Sequence, residues 1–146
     1  NQGQLKVLQG EFWEGYKVLS EASVLAKGDA SLTKAIESLR GALDVRRGDY
    51  KLALLRYSYP MDSAEDWFNK GIASYILGDY LNANAAFEAS VLANRELGYG
   101  YYGLALVAME LGQAESGSLY LEKALTYRPA LRQKIAIDPA FSQFDF

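Results

Sequence analysis

AEDWFNKGIASYILGDYLNANAAFEAS, residues 64–90, returns 34 residues further on as a second version of itself. Laid over residues 98–124 without a gap, Ala64 falls on Gly98, Trp67 on Tyr101, Gly71 on Ala105, Gly78 on Gly112, Phe87 on Leu121 and Ser90 on Ala124. Bulky positions meet bulky ones and small meet small, as expected of helix pairs that approach closely at small residues and fill the layers between with large ones. A period of this length indicates paired helices. The phrase Gly-Asp-Tyr marks the turns: it stands at residues 48–50 and 78–80, with looser versions at Gly10-Glu11-Phe12 and Gly112-Gln113-Ala114. Each glycine can end a first helix at positive φ, and the aspartate after it suits the positive N-terminus of the next. Gln113 lacks the acid, so that turn is expected to be weaker.

Trp67, Gly71, Gly78, Tyr80, Ala83 and Phe87 fall on the signature positions of the tetratricopeptide repeat, which residues 64–90 resemble; Tyr101, Leu104, Ala105, Ala108, Gly112, Leu121, Ala124 and Pro129 repeat the pattern. The resemblance implies an all-α fold, a right-handed solenoid of antiparallel helix hairpins. A single domain over 1–146 would hold a partial unit at 10–28, a divergent unit at 30–60, clear units at 64–95 and 98–129, and a C-terminal cap at 130–146. Residues 10–28 read as a second helix that Gly28 stops, its first helix missing or reduced to the opening nine residues. The divergent unit keeps a small residue, Gly41, but has no aromatic to match Trp67 and a short second helix expected to stop at Pro60. The phenylalanines of DPAFSQFDF are expected to fold over the last layer, since helical arrays need a cap.

Composition excludes much chemistry. The chain has no cysteine and no histidine, which removes disulfides, thiolate nucleophiles, the commonest metal ligand and the usual general base. No enzyme activity, catalytic residue, metal or cofactor is expected. A net charge of −3 supplies no field for nucleic acid, and the basic cluster Arg40, Arg46, Arg47, Lys51 and Arg56 is diluted by Asp44 and Asp49, so it reads as a solvated helix tip. No apolar run reaches the length of a membrane span. The expectation is a soluble protein of cytoplasm or periplasm, the compartment undecided. Because it begins at Asn1, it reads as a mature chain or an excised piece.

GYGYYG, residues 98–103, matches the glycine pattern of dinucleotide-binding loops. That pattern needs a strand before it, and here an alanine-rich stretch with helical spacing precedes it, so it reads as the start of a first helix. Glycine inside a helix costs about 1 kcal/mol relative to alanine, which implies close approach of a neighbour or a ligand.

In tetratricopeptide proteins the first helices line a concave peptide groove. The resemblance puts Phe68, Asn69, Ile72 and Tyr75 there from one unit, Tyr99, Tyr102 and Leu106 from the next, and Arg46, beside Leu39 and Ala42, from the divergent one. The family's carboxylate clamp keeps only Asn69; Phe68 and Tyr102 stand where basic residues would be, and Gly103 replaces the next asparagine. The surface is therefore expected to take an apolar or amphipathic peptide segment of another protein. The alternative is a structural packing or self-association domain, a homo-oligomer, whose aromatics lie beneath its own chain ends. On the groove reading Trp67 and Tyr101 are expected to carry the packing, with Phe68 and Tyr102 on the surface; on the alternative Phe68 and Tyr102 are core or covered by the chain ends.

Overall fold

The computed structural model describes residues 2–145, with side chains from residue 10 onward. Among the described residues there are eight α-helices and no strand, and successive helices pack in neighbouring pairs. Where one domain was expected over 1–146, the chain forms two compact units, Asn1–Pro60 and Met61–Phe146. The non-helical stretch around Pro60 divides them, since proline restricts the residue before it to extended backbone.

In Asn1–Pro60, α1 (Gln2–Leu25) is one continuous helix of 24 residues; the opening residues extend it rather than forming a helix of their own. Its Leu19, with Ala26 just past its end, packs against Ile36 of α2 (Ala30–Arg47), with Ala22 and Leu43 at the edge. Gly28 turns the chain at φ 92°, and the Asp29 carboxylate accepts from the Leu32 amide at 3.0 Å to cap α2. Gly48, at φ 86°, ends α2 with its N–H on Val45 O, and the Asp49 N–H returns to Asp44 O, a paired closure that satisfies two terminal carbonyls.

Helix α3 (Tyr50–Arg56) stops before Pro60 is reached, so the proline is not its terminator. Tyr57 leaves the helix and is fully buried against Gly41, where a Cβ would stand 2.5 Å from the ring. Buried Asp44 accepts from the Tyr16 hydroxyl and, at 3.4 Å, from Arg56 Nε. The basic cluster is partly paired: Arg56 and Arg40 also meet Glu37, at 3.4 and 2.7 Å, and Arg47 meets Asp49 at 3.0 Å, while Arg46, Arg47 and Lys51 stay exposed. Trp13 stands exposed on α1.

In Met61–Phe146, Ser63 caps α4 (Ala64–Ile76) by accepting from the Asp66 amide, with Glu65 and Asp66 in the first turn where the helix dipole favours acid. Gly78 (φ 81°) and Asp79 repeat the earlier turn, Asp79 accepting from the Asn82 amide of α5 (Tyr80–Asn94). A 3₁₀ turn, Arg95–Leu97, and Gly98 at φ 75° lead into α6 (Tyr99–Glu110). Gly112 (φ 72°) opens the last pair with α7 (Ala114–Tyr127), and Gln113 makes no side-chain cap bond, as expected. Phe87 is fully buried; its ring fills the places a Cβ would take at both Gly71 and Gly103. Gly100 lets α6 approach α5, since a Cβ there would stand 2.7 Å from Val91. The glycines of residues 98–103 thus serve helix approach and a turn. Beyond α7, a 3₁₀ turn (Pro129–Leu131), α8 (Arg132–Ile137) and a last 3₁₀ turn (Pro139–Phe141) bury Leu131, Ile135 and Phe141 against Tyr102, Leu106 and Leu121.

Candidate functional site

Helices α4 and α6 carry most of the expected groove residues. Phe68, Asn69, Ile72, Tyr75 and Tyr99 are half-buried. The Phe68 ring lies 5.3 Å from Tyr99 and 5.7 Å from Phe87, so it ties the surface to the core. The Arg128 guanidinium stands over the Tyr99 ring at 4.8 Å. Tyr75 donates its hydroxyl to Glu110 at 3.1 Å and packs 5.7 Å from Tyr80, which reaches the same carboxylate at 3.5 Å. Burial, then the Glu110 bond, pushes the Tyr75 phenol above the ordinary tyrosine range.

Tyr102 and Leu106 depart from expectation. Tyr102 is only 4% exposed and Leu106 5%, because the chain's own end covers them. The Tyr102 hydroxyl donates to Asp138, and Phe141 meets its ring edge-on at 5.6 Å. Lys134 lies 5.5 Å above the same ring. Burial and then the Asp138 carboxylate hold this phenol well above its usual range. The assignment of packing to Tyr101 and surface to Tyr102 is reversed: Tyr101 is half-buried, stacked at 5.7 Å on Tyr127. Trp67 is also only half-buried, with Lys70 at 5.3 Å from its ring. The reason is the extra layer of residues 129–145, which turns the exposed side of α6 into an interior.

Arg46 belongs to the other unit. With Glu14, Val18, Leu39, Ala42 and Leu43 it lines an apolar cavity of about 440 Å³ between α1 and α2. A second cavity of about 440 Å³, not anticipated from the sequence, lies where α5, α6 and α7 meet, lined by Tyr80, Leu81, Leu104, Val107, Leu111 and Tyr120. The exposed leucines Leu81 and Leu111 were its available signal. Among the described residues, no cluster of three carboxylates could hold a metal ion, and no helix is long and apolar enough to cross a membrane.

The family model for the tetratricopeptide repeat matches residues 99–131. That segment comprises α6, α7 and the 3₁₀ turn after them, the second of the two clear units, and the match supports the resemblance read from the sequence. Such repeats generally mediate protein–protein interaction, and folds of this kind are typically non-enzymatic. No curated protein matches the chain.

Proposed function

We propose that the chain is an adaptor whose α4–α6 face takes an apolar or amphipathic peptide segment of a partner protein. The observation that carries this reading is the row of half-buried side chains Phe68, Ile72, Tyr75 and Tyr99, in which the three rigid rings give contact area at small entropic cost. The proposal predicts that peptides selected from a displayed library on the immobilised chain lose binding when Phe68 and Ile72 are both replaced by alanine. An interface anchor is worth about 2 kcal/mol, so the loss should be at least about thirtyfold, with the helical circular dichroism kept. Selected peptides indifferent to these two residues would end the reading.

The structural alternative has one observation in its favour, the covering of Tyr102 and Leu106 by the chain's own end. If that reading holds, no peptide is selected and the chain's purpose is to pack against a neighbouring domain or a second copy, which light scattering over a range of concentrations would reveal.

A further inference from the structure

We infer that residues 135–141 sit on α6 as an internal ligand, and that the partner segment carries the same chemistry: an apolar residue, a carboxylate three positions on, and an aromatic ring three positions after that. The inference rests on the groove reading and names its ligand. Ile135, Asp138 and Phe141 follow one another at steps of three. Each meets the face that the tetratricopeptide resemblance assigns to a ligand. Ile135 and Phe141 are buried with Tyr102 and Leu106, and Asp138 receives the Tyr102 hydroxyl. The contact is specific, because a phenol that donates to a carboxylate while its ring takes the edge of another aromatic reads two groups at a fixed separation.

The same segment is built to leave. Helix α8 has six residues, too few to hold itself together without the surface beneath it. Arg132, Gln133, Ala136 and Ile137 face solvent, Ile137 at 82% exposure. Buried Ile135 and Phe141 and the Asp138–Tyr102 hydrogen bond anchor the segment, helped by Leu131, Ala140 and Phe144 beside it and by Lys134 over the Tyr102 ring. A partner segment that offers the same apolar, carboxylate and aromatic groups would compete for this face.

The test uses a labelled synthetic peptide of residues 133–146 with two full-length chains, wild type and Phe141→Ala, followed by fluorescence anisotropy. The variant's groove is vacated while the wild type's is filled from within, so the peptide should bind the variant at least about tenfold more tightly. A peptide in which Asp138 and Phe141 are both alanine should bind neither. Equal affinity for both chains, or no binding to a Phe141→Ala chain that remains helical, overturns the inference. If Phe141→Ala loses its helical signal, Asp138→Asn, which keeps the ring, takes its place with the same two outcomes. Hydrogen exchange on the unaltered chain gives an independent reading: amides of α8 should exchange through an opening that leaves α6 protected, and exchange at one common rate refutes the internal ligand. If library-selected peptides bind through Phe68 and Ile72 while the tail peptide does not, the groove stands and this inference falls. If neither binds, both fall.

Discussion

Phe87 lies in a slot made by two glycines, and this arrangement sets the cost of substitution. At Gly71 or Gly103 a Cβ would enter the ring of a residue with no exposed surface and nowhere to retreat. Gly71→Ala and Gly103→Ala should each destabilise by about 1–3 kcal/mol in chemical denaturation, despite alanine's better helix propensity. Gly10, inside α1 with open space around it, should behave oppositely: Gly10→Ala should gain about 0.5–1 kcal/mol. That the glycines of residues 98–103 admit a close neighbour was legible in the sequence; that Phe87 is that neighbour for Gly103 was not. The exchange of roles between Tyr101 and Tyr102 has a similar origin. Helix α6 buries Gly100 and every residue from Tyr102 to Ala108, so it has no polar face by which periodicity could orient it. Tyr102→Ala should accordingly cost about 3 kcal/mol or more, and exceed Tyr101→Ala. The opposite order would mean that the tail does not cover α6 in solution.

Turns are where the elements were most readable, because the chemistry of a left-handed glycine followed by a capping acid is local and needs no knowledge of the partner helix. Asp49 and Asp79 cap as read, and Gln113 occupies nearly the same backbone conformation, φ −98° and ψ 61° against −88° and 75° at Asp79, without a cap bond. Gln113→Asp should therefore stabilise α7 by about 0.5–1 kcal/mol, while Asp79→Ala should cost about 1 kcal/mol in thermal or denaturant melts. What joins α1 to α2 was less readable, because the Tyr16–Asp44 pair spans 28 residues and looks from the sequence like two surface positions. Burial and the bond to Asp44 push the Tyr16 phenol up to about 12. Since its ordinary value is about 10, the folded form holds the proton more tightly. The stabilisation is complete below pH 10 and is lost as pH climbs towards 12. Absorbance titration should find this phenol ionising late, and Tyr16→Phe should remove that contribution to alkaline unfolding.

At the scale of the molecule, legibility followed repeat quality. The gapless pair of units at 64–90 and 98–124 fixes α4 to α7 closely. The first sixty residues, with no aromatic to match Trp67, yielded their helices but not the buried Asp44 network or the inward turn of Tyr57. Nor could a repeat pattern foresee how far the tail would reach, since residues 129–145 lie outside most of the repeat. Met61–Phe146 has its own core, so a chain of those residues alone should melt cooperatively, whereas Asn1–Pro60 alone, at a size where burial is marginal, should be only weakly stable. Circular dichroism of the two pieces checks both, and a non-cooperative Met61–Phe146 would contradict its description as a compact unit. The placement of the two tryptophans carries a practical corollary. Trp13 stands 71% exposed in Asn1–Pro60, while Trp67 is half-covered in Met61–Phe146 beneath Lys70. Each unit thus has one indole and no other, and the emission of Trp67 should redden when its unit opens while that of Trp13, already hydrated, hardly moves. The chain supplies its own optical gauge of which half has come apart.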